Sequence, residues 1–506
     1  MKTGELKVTG LVTRDSITVY FEKPENLPTG YKYILLLNGK QQAQTDKTHF
    51  LIEGLDSDTN YDIQVKVVKD DTVLAQSMVL FLKTETAGRI LDVTKEPYMA
   101  AGDGKTMDTQ VIQKAIDDCR VGDMVYLPKG IYKTGALRLH SNMELYLEEG
   151  ALLQGTDNPD DYLPRIWSRF EGTELSCYSS LLNMGELDHD SGANCENILI
   201  RGKGTIASGG QVLAKKIIDM GTELLKNESE VNADIMKDCE KPETIPGRIR
   251  PRLINISNCK NVRISGLNLK DGASWNVHMI YSEGVVTDNC RFYSEKVWNG
   301  DGWDPDSSED CTIFGCVFYT GDDSIAIKSG KNPEGNVIGK PTRNIKIFDC
   351  KCEFGHGITI GSEMSGGVED VKIWDCDMGS SLSGIEIKGT KKRGGYVRNI
   401  HVRDCKTARV LFHSVGYNDD GISAGVAPIF EDCTFENLQI TGKCLDHDNK
   451  YYEVDCMELI GFDEPGHELK NILLKDIVLG CAEEPRRHTL AFCACAGITI
   501  CNLKCW

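Results

Sequence analysis

Asn299–Gly330 reads NGDGWDPDSSEDCTIFGCVFYTGDDSIAIKSG. It holds six aspartates in 32 residues, set among short alternating apolar runs and turn-forming residues. Asp301 and Asp322 are 21 residues apart. In a chain that coils once every roughly 20–30 residues, that spacing places them on neighbouring turns of one face. Asp322 and Asp323 come just before the alternating run Ser324-Ile325-Ala326-Ile327-Lys328. Carboxylates gathered in one place cannot all ionise freely, so at least one pKa should rise. One protonated and one ionised carboxyl is what acid/base cleavage of a glycosidic bond requires. A solvated, turn-rich acidic loop or a calcium loop would have the same composition.

Outward from this stretch, short alternating runs recur. They include Asn197-Ile198-Leu199-Ile200, Asn261-Val262-Arg263-Ile264, Cys311-Thr312-Ile313-Phe314, Asn344-Ile345-Lys346-Ile347, Asp370-Val371-Lys372-Ile373, Asn399-Ile400-His401-Val402 and Asn471-Ile472-Leu473-Leu474. A period of this size signals a solenoid, and the period-2 content makes it a β-solenoid. Cys290, Cys316, Cys350, Cys376, Cys405 and Cys433 follow at separations of 26, 34, 26, 29 and 28. Equivalent positions in successive coils stack, so all six are expected in one internal ladder of small apolar side chains. A zinc site is the competing reading, but paired CxxC and HxxxH spacings are missing.

Residues 1–86 read as a separate all-β unit. Leu11–Phe21, Tyr31–Leu37 and Asp62–Val68 are strand-like, with turn signals between them. Leu55-Asp56-Ser57-Asp58-Thr59-Asn60-Tyr61 resembles the corner of a fibronectin type III domain. Tyr61 would be the corner tyrosine, its hydroxyl bonded back to the backbone. Thr84–Gly88 reads as a link, and residues 89–506 as the solenoid domain. Val111, Ile112, Ala115 and Ile116 fall at helical spacing, with Asp108 or Thr109 placed to cap a helix of about three turns. Gly210–Gly247 interrupts the repeat with a helical pattern over Val212–Leu225 and a charged stretch, an insertion over one rim of the solenoid.

The formal charge of −19 argues against nucleic acid and anionic membrane surfaces as partners. No stretch approaches the ~18 apolar residues of a membrane span. The N-terminus shows no basic region followed by an apolar core, so the 20 cysteines are expected as reduced thiols in the cytoplasm.

Downstream of the acidic stretch come Gly355-His356-Gly357 and Gly384-Ile385-Glu386-Ile387-Lys388, then Lys391-Lys392-Arg393. A histidine between glycines can approach a ligand closely, although a lone turn histidine is more often ordinary surface. Taken in order, Asn299-Gly300-Asp301, Asp322-Asp323 and Gly355-His356-Gly357 resemble the motifs of glycoside hydrolase family 28, the polygalacturonases. The opening Asp103–Tyr132 region, Arg250–Ile254 and Ser274–His278 look similar too, over about residues 89–480, and Asp304-Pro305-Asp306-Ser307-Ser308 looks most like bacterial exo-acting members. The resemblance implies a right-handed parallel β-helix of the pectin lyase-like kind; with the small β-sandwich read over residues 1–86 before it, the chain is expected to be all-β. It implies an inverting hydrolase without cofactor or metal, acting on a pectic, oligogalacturonide-like oligosaccharide. By matched position, Asp322 would be the general acid, Asp301 and Asp323 would hold and activate the water, and His356 would tune the acid. Asn299, Lys328, Glu363, Glu386, Lys388 and Arg393 are the candidate substrate-binding residues.

Two positions depart from the family pattern. Gly300 replaces a threonine, and Glu386 stands where an arginine binds the substrate carboxylate. A glutamate there would repel that carboxylate by about 1–3 kcal/mol, unless Lys328, Lys391, Lys392 or Arg393 compensates. The alternatives are a neutral or decorated sugar at that subsite, a calcium-dependent lyase, and a non-catalytic carbohydrate-binding β-helix.

Overall fold

The computed structural model describes residues 6–25, 27–226, 239–417, 419–446, 448, 450–480 and 489–505. The charged stretch over 227–238 lies outside them. The chain divides into two compact units, Met1–Ile90 with Arg120–Met124, and Leu91–Cys119 with Val125–Trp506.

The first unit is antiparallel. Val8–Val12, Ser16–Phe21 and His49–Glu53 form one sheet. Lys32–Leu37, Lys40–Thr45, Asn60–Lys69, Thr72–Gln76 and Leu80–Lys83 form the other. The run expected as one strand from Leu11 to Phe21 is broken at Thr13, whose hydroxyl accepts the N–H of Ser16 at 3.0 Å and turns the chain. Alternate residues point inward, and Ile17, Val19 and Phe21 from one sheet share a core with Tyr33, Leu35, Ile63 and Val65 from the other. The Tyr61 hydroxyl accepts the backbone N–H of Asp56 at 3.0 Å, the bond expected of a corner tyrosine.

The second unit is a parallel β-helix. Its strands join a 23-stranded parallel array and an 11-stranded one. The repeating runs have a physical origin. Asn197, Asn261, Asn344, Asp370, Asn399, Asp432 and Asn471 all take positive φ near the left-handed region, at the corner that opens each coil. Short polar side chains tolerate that conformation and bond locally. Here they bond to one another between coils: Asn261 donates to Asn197 at 3.1 Å, Asn399 to Asp370 at 3.3 Å and Asn471 to Asp432 at 3.0 Å. Like residues stack on like: in the core the Phe292 and Phe318 rings lie parallel with centroids 4.6 Å apart, and Phe314, Phe348 and Trp374 form a second buried stack at spacings of 4.8 and 4.3 Å. Each such buried ring contributes on the order of 1.5–3 kcal/mol relative to exposure.

The cysteine ladder is real but one member shorter than expected. Arg291 pairs with Val317, Val317 with Lys351, Lys351 with Asp377 and Asp377 with Lys406, which stacks Cys290, Cys316, Cys350, Cys376 and Cys405 in one column. Cys433 pairs instead with Ile400 and Ile472 in another column. The next coil lengthens before its corner, so Leu438 takes the place above Cys405; Lys406 pairs with Gln439.

The helix Thr109–Asp117 buries Ile112, Ala115 and Ile116. Asp108 occupies its N-cap but makes no side-chain cap bond; its carboxylate accepts the N–H groups of Ala101 and Gly102 instead. The insertion supplies a helix over Gly210–Lys226 and a short turn of helix at Ile245–Arg248. Among the described residues no helix is long and apolar enough to cross a membrane.

Candidate active site

The 11-stranded array carries the site. Consecutive strands Val277–Ile280, Trp303–Asp306, Ile325–Ile327, Gly357–Ile360 and Gly384–Gly389 run side by side. The backbone N–H of Asn276 donates to the Asp301 carbonyl, and that of Gly302 to the Asp323 carbonyl. Asp301 and Asp323 therefore stand on successive coils of one column, ~4.8 Å apart along the axis. The vertical partner of Asp301 is Asp323 rather than Asp322. Asp322 leaves the column because the chain bends at Gly321. A Cβ on Gly321 would lie 2.3 Å from the Val297 carbonyl oxygen and 2.7 Å from that of Ser294, so the bend is packed directly against backbone.

The bend turns both neighbouring carboxylates toward one ring. His356 Nδ1 lies 3.1 Å from Asp322 Oδ1 and 3.4 Å from Asp323 Oδ1. Burial works to lower the His356 pKa, but hydrogen bonds and attraction from the two carboxylates push it up to about 10. Burial likewise works to raise Asp323, yet Lys388 and His356 hold it below the usual carboxylate range. Thr359 donates its hydroxyl to Asp323 at 2.7 Å. Asp301 goes the other way. Burial raises its pKa well above the usual range, with repulsion from Asp322, Asp323 and Glu363 adding to the effect, against the attraction of Lys328 at 3.4 Å. Asp322 is the more exposed of the pair, and its Oδ2 accepts from Asn299 Nδ2 at 3.3 Å. Environments that push neighbouring carboxyls apart in this way are what an acid/base pair needs.

The candidate binding residues divide. Lys328 and Glu363 pair at 3.4 Å, and Lys328 also stands 4.7 Å over the Trp275 ring. Lys388 reaches Glu386 at 3.1 Å and Asp323 at 3.6 Å. Glu386 is nearly buried; burial works to raise its pKa, but Lys388 and His413 hold it down. Arg393 is buried with its donors on Ser362, Asn332 and the Asp420 carbonyl, so it holds the loop carrying Glu363. Lys391 is exposed, and Lys392 pairs with Glu240. Asn299 is fixed from behind by Arg250, which donates to its Oδ1 at 2.7 Å.

Asn299, Lys328, Glu363, Glu386, Lys388 and Arg393 line one cleft of about 720 Å³ with Asp301, Asp322, Asp323 and His356; Lys391 and Lys392 are not part of its lining. The insertion contributes Thr244, Gly247 and Arg248 to its wall, and the chain further on contributes Tyr417 and Asp419. His413, which bonds Glu386 at 2.6 Å, had no motif to announce it. Asp304 and Asp306 lie in the run Asp304–Ser308 that resembles exo-acting members, but that resemblance gave neither of them a role in the site. Asp306 is buried between Arg169 at 2.9 Å and His278 at 3.4 Å. Asp304 is buried two strand positions before it, and burial raises its pKa well above the usual range, with repulsion from Asp301 adding. Asp310 sits at a coil corner, at positive φ and bonded by Asn344. Asp322, Asp323 and His356 offer ligand atoms within 4.8 Å of one another, close enough for a metal ion.

The chain is similar to known proteins in sequence and in fold. The glycosyl hydrolases family 28 matches residues 178–415. An exo-poly-α-D-galacturonosidase of Dickeya chrysanthemi is 28% identical over 415 residues, 77% of this chain and 68% of that protein. An endo-polygalacturonase of Pectobacterium parmentieri is 30% identical over 308 residues, 58% of this chain and 67% of that protein. In fold, the chain is similar to the family 28 exopolygalacturonase of Yersinia enterocolitica, with a TM-score of 0.78 at 21% identity, covering 99% of this chain and 96% of that one.

Proposed function

The chain belongs to glycosyl hydrolase family 28 and is a glycoside hydrolase, and we propose that it is an inverting, exo-acting enzyme that releases galacturonic acid from pectic oligosaccharides. The observation that carries this reading is the shared His356 Nδ1 between Asp322 and Asp323, one coil above the buried Asp301. In the form that carries a proton, Asp322 gives it to the glycosidic oxygen as the bond to the anomeric carbon breaks. A water held by Asp301 and Asp323 attacks that carbon from the opposite face, gives its proton to a carboxylate, and inverts the configuration. Asp323 is kept ionised by Lys388 and His356, so it stands ready to accept a proton, while the raised pKa makes Asp301 the stronger base once it ionises. His356 positions the carboxyl of Asp322 toward the leaving oxygen. The name of the Dickeya relative supports cleavage from a chain end.

A second reading is favoured by the 3.1 Å pair between Lys388 and Glu386. Here the sugar next to Lys388 is neutral or decorated rather than a free uronate.

The test is product analysis with tri-galacturonate in EDTA, beside the Asp322→Asn variant. Release of monomeric galacturonic acid by the wild type alone supports the exo-hydrolase and the acid assignment. An untouched trimer rejects plain oligogalacturonate as substrate. An unsaturated, ultraviolet-absorbing product that disappears with chelator points to a lyase.

A further inference from the structure

Strand Gly384–Gly389 puts Glu386 and Lys388 on one face, two residues apart. The next strand, Val410–Ser414, lies beside it with Lys388 paired to His413. His413 Nε2 reaches back to Glu386 Oε1 at 2.6 Å, while Glu386 Oε2 accepts from Lys388 Nζ at 3.1 Å. Lys388 Nζ then lies 3.6 Å from Asp323 Oδ2. The four side chains form one line, His413–Glu386–Lys388–Asp323, that draws on three coils, passes over the Gly357–Ile360 coil between Lys388 and Asp323, and ends on a catalytic aspartate.

Two consequences follow for a ligand. Both oxygens of Glu386 are engaged, so its carboxylate is held from either side rather than free to swing away. And the Lys388 ammonium already faces two protein carboxylates before any sugar arrives. A substrate carboxylate in this position would be the third anion on one cation. A hydroxyl or an ester carbonyl meets no such repulsion: the hydroxyl can donate to Glu386, and either oxygen can accept from Lys388.

We infer that His413 is a specificity-positioning residue: by holding Glu386 on Lys388, it makes the subsite beside Asp323 select an uncharged sugar, esterified at its carboxyl or bearing hydroxyls alone, over a free uronate. The inference rests on the glycosidase reading above and narrows its substrate. His413 touches neither the reacting atoms nor the bond that breaks; it acts through Glu386.

The experiment measures kcat/KM of the full chain on tri-galacturonate and on its methyl ester, for the wild type and for His413→Phe, His413→Gln and Glu386→Arg, with thermal melts to establish folding. The wild type is expected to prefer the ester by about tenfold. His413→Phe should bring the ratio toward unity, mainly through KM, while His413→Gln, whose amide can still donate to Glu386, restores most of it. Glu386→Arg should reverse the preference. A wild type that prefers the free acid overturns the inference and leaves the exo-galacturonate reading standing. So does a ratio that stays the same in the wild type, His413→Phe and Glu386→Arg. A folded wild type inert on both substrates overturns the pectic reading and the inference with it.

Discussion

His356 Nδ1 stands 3.1 Å from Asp322 Oδ1, and the ring is a cation because of it and of Asp323 beyond. Burial alone would have favoured the neutral imidazole; the two carboxylates outweigh burial and push the pKa up to about 10. An unfolded histidine titrates near ~6.5. The folded value lies above the unfolded one, so the stabilisation is full below about pH 6.5 and is lost as pH rises through about 10. Melting temperatures followed from pH 6 to 10 should fall more steeply for the wild type than for His356→Gln. Equal slopes would mean that the ring is not charged.

Lys328 is the counterweight to Asp301. It lowers the pKa of a carboxyl that burial and three neighbouring acids raise. Replacing it with methionine keeps much of its length over Trp275 but removes the charge. Asp301 should then become harder to ionise, and the acidic limb of the pH–kcat/KM profile should move to higher pH. An unmoved limb in a folded variant would take Asp301 out of the ionisations that catalysis needs.

The repeat was legible because each coil corner demands a left-handed residue, and Asn, Asp and Gly mark those corners in the sequence. The motif residues Asp301, Asp322, Asp323 and His356 were legible because single columns of the helix turn spacing into neighbourhood. His413 and Asp419 were not, since they come from later coils whose approach to the cleft depends on loop lengths that follow no period. The same irregularity removed Cys433 from the ladder, where the lengthened coil placed Leu438 above Cys405. Glu386 looked repulsive in isolation. Its partners, Lys388 two residues on and His413 on the next strand, turn it into a held group.

Gly300 shows why one departure from the family pattern is built in. A Cβ there would lie 2.7 Å from the Ser294 carbonyl oxygen and 2.8 Å from that of Val297. Gly300→Thr, the family's own residue, should therefore cost about 1–3 kcal/mol by overpacking against backbone. Denaturant titration measures it, and activity should fall as well, because Asn299 and Asp301 flank the site of strain. A neutral effect would mean that the turn at Ser294–Val297 yields freely.

Asp419 fastens the insertion to the cleft wall. Its carboxylate accepts the N–H of Glu240 at 3.2 Å and of Gly421 at 3.0 Å, and the Thr244 hydroxyl at 3.2 Å. Arg248 and Lys331 lie 3.4 and 3.7 Å away. Burial works to raise its pKa, but the two cations and the N–H groups hold it at about 2. The folded value is depressed, so this stabilisation is present above the unfolded ~3.8 and is lost as pH falls through about 2. Asp419→Asn removes the charge at every pH and leaves two buried cations short of a partner, which should cost about 3 kcal/mol. Because Thr244, Gly247 and Arg248 line the cleft, the loss should be local as well as global. Amide exchange over residues 240–249 should rise more than exchange in the coils, and KM should increase with it. Protection that stays as in the wild type over this segment would mean that the insertion is held by its helix packing alone.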